Sequence, residues 1–240
     1  MKVLVACEES QEVCKAFRAL GHEAYSCDLQ ECNGGHPEWH IQDDVLNLIY
    51  PERDWQSQFF TGFFTRDGRF HELDETWDLI IAHPPCTYLS NAGARWLWAG
   101  HKLNLERYAK GLEAKEFFMK FWNADCPRIC IENPIPSSAY NLPECTQFVQ
   151  PYEYGHPYSK KTCLWLKGLP LLKPTEIIAD HKPFVSSGSY TKTHDPKYKG
   201  ASRKGGSAKS RSKTFPGIAR AMAEQWSKYI IEGQNAPDRH

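Results

Sequence analysis

The chain has 240 residues, 41% of them hydrophobic and 24% charged, with equal numbers of acidic and basic side chains and eight tryptophans. That apolar content excludes a disordered chain, and the length suffices for one large α/β domain carrying insertions. Nine cysteines at uneven spacing, with no secretory leader ahead of them, point to free thiols rather than a disulfide framework. Cys126 and Cys130 lack a second Cys/His pair, so no metal is expected. The opening run "MKVLVACEES" is too short an apolar stretch for a signal peptide or a membrane span, so a cytoplasmic protein is expected.

In chain order, "KVLVA" (2–6) is a β-rich run. Residues 10–23 read as a helix: Val13, Phe17 and Leu20 recur at helical spacing, Ser10 is placed to cap it and Gly21 to end it. "EAYSCDL" follows as a second strand that stops at Asp28. Strand, helix, strand and a terminal acid make the first half of a nucleotide-binding α/β unit. "HIQDDVLNLI" (40–49) offers a third strand end with Asp43 and Asp44, and 51–77 has no clear period and reads as an insertion. "WDLIIA" (77–82) and "PRICIEN" (127–133) are buried strands on either side of a long amphipathic helix over 103–124. Two more strands fall in "TQFVQPYEY" and "TCLWLKG", a closing helix spans 217–232, and the last eight residues read as a tail.

Charge is distributed unevenly. Between Lys182 and Lys213 nine Lys and Arg face the single Asp195, and the remainder of the chain carries the compensating negative charge. This segment is rich in Ser, Gly and Thr and poor in large aliphatics, the composition of a basic binding arm suited to phosphates. A solvated surface loop is the alternative.

In an open parallel sheet, ligands bind beyond the carboxyl ends of the strands. Five groups would meet on that rim: Glu8 and Glu9, Asp28, Asp43 and Asp44, "HPPC" (83–86) and "ENP" (132–134). Cys86 and Glu132 are the informative pair. A thiolate adds to an electron-poor carbon, and a carboxyl group that holds the neighbouring ring nitrogen makes that carbon more electrophilic. The plainer alternatives are a buried small residue at 86 and a cap or ion-pair partner at 132.

"DLIIAHPPCTYLS" (78–90) resembles the proline-cysteine motif of DNA cytosine-5 methyltransferases, "ICIENP" their Glu-Asn motif, and "YEYGHPYSKKTCLWLKG" a later segment in which a Tyr-Gly-x-Pro run precedes a basic pair. The three arrive in the family's order. "MKVLVA", "GHEAYSCDL" and "DDVLNL" are similar in position to its cofactor-binding strands, and "FPGIARAMAEQW" to its last helix, so the resemblance covers most of 1–168 and 215–231. It marks the chain as a compact, divergent, phage-like member. It implies a Rossmann-like S-adenosylmethionine-dependent methyltransferase fold, an α/β architecture with a mostly parallel sheet and a final antiparallel strand.

The implied activity is methyl transfer from S-adenosylmethionine to carbon 5 of cytosine in DNA through a covalent cysteine adduct. Such DNA modification belongs to restriction-modification in the cytoplasm of a bacterial or phage-infected cell. By the resemblance Cys86 is the nucleophile, next to Pro85; Glu132, followed by Asn133, holds the base, and Lys160 or Lys161 contacts its carbonyl. Ala6, Glu8, Asp28, Leu29, Asp44, Val45, His83 and Pro84 would surround the cofactor. Lys192, Lys197, Lys199, Arg203, Lys204, Lys209, Arg211 and Lys213 would meet nucleic acid, and a base inside a duplex would be extruded to reach the thiol. His83, directly before the prolines, could also lower the thiol pKa.

The chain departs from the pattern in its first loop, "VACEESQ", which has no glycine, and in Thr87, Pro134 and the lysine pair. The expected organisation is a catalytic core over 1–169 with 51–77 inserted, a small basic insertion over 170–214, the closing helix over 215–232 and the tail 233–240. DNA is the expected partner, with no membrane and no protein partner. Two alternatives stand beside this reading: a catalytically inactive nucleic-acid-binding protein on the same scaffold, and an enzyme acting on a nucleotide or single strand.

Overall fold

The computed structural model describes residues 1–50, 61–73, 77–94, 96–99, 101–184 and 213–234. Its central sheet has seven strands: β1 (Lys2–Ala6), β2 (Glu23–Cys27), β3 (His40–Ile41), β4 (Leu79–Ala82), β5 (Ile129–Pro134), β6 (Gln147–Val149) and β7 (Thr162–Lys167). They lie in the order β6-β7-β5-β4-β1-β2-β3. The first five in chain order run parallel, and β7 is antiparallel to both of its neighbours, β5 and β6. This mixed α/β sheet, mostly parallel with a late antiparallel strand, is consistent with a Rossmann-like methyltransferase fold.

Three helices cover the sheet: α1 (Glu12–Ala19), α2 (Leu105–Trp122) and α3 (Pro216–Gln234). β4 and, after Lys2, β1 are apolar because both of their faces are covered. Leu4, Ala6, Ile80, Ala82, Ile129 and Ile131 pack on the side of Phe118 and Phe121 of α2. Val3, Val5, Leu79, Ile81 and Cys130 pack on the other side with Val13 and Phe17 of α1 and Met222 and Trp226 of α3. Trp226 is fully buried and its indole N–H donates to Pro170 O at 3.0 Å, so its large apolar surface is removed from water without a stranded polar group. Among the described residues no helix is long and apolar enough to cross a membrane.

Two local expectations change. Ser10 does not cap α1: the cap position is Gln11, in the left-handed region at φ 59°, and it makes no side-chain capping bond. The carboxylate of Glu8 does that work instead, accepting from the backbone N–H groups of Val13 (2.7 Å) and Cys14 (3.2 Å). The insertion also has regular structure, a hairpin pairing Thr61–Phe64 with Phe70–Leu73. Phe63 is its buried anchor, edge-on to Tyr25 at 5.1 Å.

Because β2 and β3 lie on one side of β1 and β4 and β5 on the other, the order reverses between β1 and β4. A ligand crevice opens beyond strand ends at such a switch point. The backbone N–H of His83, just past β4, donates to Ala6 O at 2.9 Å across it.

Candidate active site

Strand register builds the centre of the site. In the β4–β5 pair Ile80 faces Ile129, Ile81 faces Cys130 and Ala82 faces Ile131, so one further step brings His83 beside Glu132. Their side chains meet, His83 Nδ1 to Glu132 Oε2, at 2.8 Å, with only 11% and 10% of each exposed. The same Oε2 accepts a longer bond, 3.4 Å, from the Thr214 hydroxyl at the approach to α3. Asn133, the next residue on β5, is buried and its Nδ2 donates to Pro84 O at 2.7 Å, fastening the proline loop to the strand.

Electrostatics makes the pair an ion pair. Burial opposes ionisation of Glu132, but the His83 hydrogen bond and charge, the Lys160 charge and the Thr214 hydroxyl outweigh it and hold the carboxyl below its ordinary range. Burial likewise favours neutral His83, yet the bond to Glu132, its charge and that of Glu8 hold the imidazole above its ordinary value. The His83 Nε2 atom is buried without a hydrogen-bond partner.

Cys86 lies in this neighbourhood, half-buried four residues past β4. Its thiol is pushed up by burial and by the Glu132 charge, with Lys160 acting the other way. The idea that His83 activates the thiol is therefore corrected: Nδ1 is engaged by Glu132, and the net influence on the sulfur favours the thiol form. Of the two lysines, Lys160 lines a cavity with Glu132, Thr162, Thr214 and Phe215, whereas exposed Lys161 rests its ammonium 3.8 Å from the centre of the Phe148 ring. That cavity measures about 10 Å³. It is at the threshold for one water, so a pyrimidine reaches Glu132 there only if Thr214 and Phe215 move. Exposed Pro85 belongs elsewhere, in a cleft of about 330 Å³ on the α2 side lined also by Tyr88, Lys110, Glu113, Ala114 and Phe117.

The residues expected around a cofactor divide into two sets. Asp28, half-buried at the end of β2, and Asp44, exposed beyond β3, stand where carboxylates can meet the hydroxyls and amino group of an adenosine. Each also accepts from the backbone two residues on, Gln30 N at 2.8 Å and Leu46 N at 3.0 Å. Leu29 is 73% exposed beside them and Val45 is buried. The turn after β1 is of another kind. Ala6 and Pro84 are buried, and both carboxylate oxygens of Glu8 are engaged by α1.

Residues 33–36 then cross this turn, with Asn33 N donating to Glu9 O at 2.8 Å and His36 N to Gln11 Oε1 at 3.1 Å. A Cβ on Gly34 would stand 2.5 Å from Ser10 O and from Gln11 Cβ. The acids beyond β2 and β3 fit the adenosine end of S-adenosylmethionine, and its methionine end would share the turn after β1 with Glu8 and the crossing segment 33–36.

Thr214 is a site residue that sequence reading missed; its one signal is its place directly before "FPGIARAMAEQW". Of the expected nucleic-acid contacts, Lys192, Lys197, Lys199, Arg203, Lys204, Lys209 and Arg211 lie outside the described residues. Lys213 is described, and its Nζ donates to Asn33 Oδ1 at 3.0 Å.

No family model matches the chain, and no match is found among curated proteins. Among solved structures it is similar to an rRNA methylase from Escherichia coli, at 13% identity and a TM-score of 0.33, over 69% of this chain and 55% of that one. The chain therefore spans about half the length of that protein. A likeness of that size carries no argument for fold or activity, and the strand order above stands by itself.

Proposed function

We propose that this protein transfers a methyl group to carbon 5 of cytosine in DNA, with S-adenosylmethionine as donor and Cys86 as covalent catalyst. The observation that carries this reading is the convergence of Cys86, Glu132 and Lys160 toward the carboxyl ends of the adjacent parallel strands β4 and β5, where Glu132 and Lys160 line one cavity and the charges of both act on the Cys86 thiol. The Cys86 thiol passes its proton to water as the sulfur bonds to carbon 6 of the ring, and carbon 5 gains the electron density needed to attack an electrophilic carbon. Glu132 holds the ring's amino edge, and Lys160 faces the base carbonyl while favouring the thiolate. S-adenosylmethionine, when bound, supplies the methyl group. The carbon 5 proton then passes to water as the sulfur–carbon bond breaks, which restores the ring, and the released thiolate regains a proton from water.

A second reading is favoured by one observation, the filled turn after β1: a nucleic-acid-binding protein that has lost the donor's seat. Calorimetric titration with S-adenosylmethionine, followed by incubation with DNA and nucleoside mass spectrometry, separates the two. Heat of binding and labelled 5-methylcytosine are expected. Absence of both, with DNA binding retained, would establish the second reading instead.

A further inference from the structure

An exposed indole leaves a large apolar face in water, and the tryptophans of this protein divide in how they avoid that. Among the described residues only Trp96 and Trp98 are exposed, at 61% and 55%, whereas Trp77, Trp165 and Trp226 are buried. Resting on the reading above for the identity of the polymer as DNA, we infer that Trp96 and Trp98 form a stacking platform for unpaired nucleobases, so that the protein takes its substrate as a single strand.

Local structure holds the two indoles on a fixed support. Leu97 between them is buried in the core on the α2 side and anchors the segment, with an exposed indole before and after it. Trp98–Ala99 pairs antiparallel with Lys102–Leu103, and exposed Lys102 stands opposite Ala99, one step along the ladder from the Trp98–Leu103 pair. Ahead of the segment Ser90 N donates to Cys86 O at 2.9 Å, and behind it Asn104 N donates to Leu97 O at 2.9 Å. The Arg107 guanidinium ties the same stretch to α2, donating to Thr87 O at 3.0 Å and Gly93 O at 3.2 Å. A support fixed in advance loses little freedom when a base settles on it.

Position and charge select the occupant. The loop of Cys86 leads directly into the platform, and its residues run beside those just past β5: Ser137 N donates to Leu89 O at 2.7 Å and Asn91 N to Ile135 O at 2.8 Å. The tryptophans therefore stand on a segment continuous with the rim that carries Cys86 and Glu132. From Leu79 to Leu105 the sequence has no Asp or Glu, while Arg95 and Lys102 are cationic. The next acid, Glu106, is paired with Lys110 at 2.8 Å. An aromatic surface without anionic side chains suits flat rings strung on a polyanion. Stacking on an indole needs an open base face. A duplex hides those faces, whereas a single strand offers them and lets a cytosine reach Cys86 with no base pair to break.

The binding test uses an oligothymidylate of about twenty nucleotides, which has no cytosine, against its duplex with oligodeoxyadenylate. The wild-type protein is expected to bind the single strand about tenfold or more tightly than the duplex. Trp96→Ala and Trp98→Ala should each weaken that binding by about tenfold with the salt slope unchanged, since stacking releases no counterions, and Trp98→Phe should keep most of the affinity. Single-strand affinity unchanged in both alanine variants, or a duplex bound as tightly as the strand, would overturn the inference.

A second arm needs no variant. Acrylamide quenching of the wild-type tryptophan fluorescence is expected to fall when the strand is bound, because the two exposed indoles become covered. Unchanged quenching at saturation would overturn the inference even if the alanine variants failed to fold. Sedimentation tests the rival occupant: a wild-type dimer that Trp98→Ala dissociates, with strand binding unaffected, would make this face an interface between copies instead. Incubation of a cytosine-containing single strand with labelled S-adenosylmethionine separates the platform from the reaction. Covered indoles without labelled 5-methylcytosine would refute the methyltransferase reading and leave the platform standing. Label on duplex DNA, with strand affinity unchanged in both alanine variants, would do the reverse.

Discussion

The carboxyl-end rim of the sheet has two halves that use the same kinds of residue to opposite ends. On the β1–β2 half, polar side chains close on the protein itself: Glu8 caps α1, Gln11 bonds the backbone of His36, and Lys213 and Asn33 bond each other. On the β4–β5 half, Glu132 and Cys86 are held from behind, by His83 and by the Asn133 bond to the proline loop, with Lys160 alongside. The difference teaches how to tell a structural carboxylate from a chemical one. Glu8 has both oxygens on helix N–H groups, whereas Glu132 has Oε2 tied to side chains, His83 from the end of a neighbouring strand and Thr214 from the approach to α3.

The largest expected effect breaks the chemical half. Cys86→Ser leaves the fold unchanged and lowers methyl transfer by about 10⁴-fold or more, the scale of a lost nucleophile, in a tritiated-methyl assay. Turnover within tenfold of wild type would remove the covalent route.

The structural half is exposed by pH. Glu8 is pushed up to about 7 from an ordinary 4.5, chiefly by burial, against the pull of His83 and the two helix N–H groups. The folded protein keeps this proton where the unfolded chain has released it. The stabilisation is therefore complete below pH 4.5 and is lost as pH rises through 7, a change of about 3 kcal/mol. His83, raised as well, extends the loss to higher pH, while Glu132, lowered, loses its own contribution only as pH falls. Glu8→Gln should flatten most of the decline between pH 5 and pH 8 in urea unfolding. An identical decline in the variant would show that Glu8 is not its source.

Gly34→Ala sharpens the comparison further. Its new Cβ collides with the backbone of Ser10 and with Gln11, so a loss of about 1–3 kcal/mol is expected together with lifting of residues 33–36 from the turn. If that crossing segment obstructs the donor, S-adenosylmethionine binds more tightly to the variant in calorimetry; equal affinity would show that it does not. The smallest effect concerns the basic arm. Alanine at Arg203, Lys204, Lys209 and Arg211 should weaken DNA binding and flatten its salt dependence by about one unit of slope for each phosphate no longer neutralised. An unchanged slope would assign the arm another role.

Much of the sheet was legible because β1, β4, β5 and β7 are nearly continuous apolar runs, as strands buried on both faces must be. β3, read as a third strand end within 40–49, is only His40–Ile41, and the hairpin of the insertion was not legible, because pairing rather than local composition makes it. At the site, Cys86 was readable from its position after β4 and Glu132 from its position toward the end of β5. The His83–Glu132 bond spans 49 residues and follows from the register of two parallel strands, which no local pattern displays. The Glu8 cap escaped notice for a similar reason. A left-handed Gln11 turns the chain so that an acid ahead of the expected cap reaches the helix end, and Ser10 looked the better candidate by type alone.

The most direct measurement of whether Cys86 attacks a cytosine ring is covalent trapping. The protein is incubated with S-adenosylmethionine and DNA carrying 5-fluorocytosine, in which fluorine at carbon 5 prevents release of the adduct. The expected result is a denaturation-stable protein–DNA complex whose digest carries the added nucleotide on the peptide containing Cys86 and which is absent from Cys86→Ser. Formation of 5-methylcytosine on ordinary DNA without any such complex, or an adduct mapping to another cysteine, would contradict it.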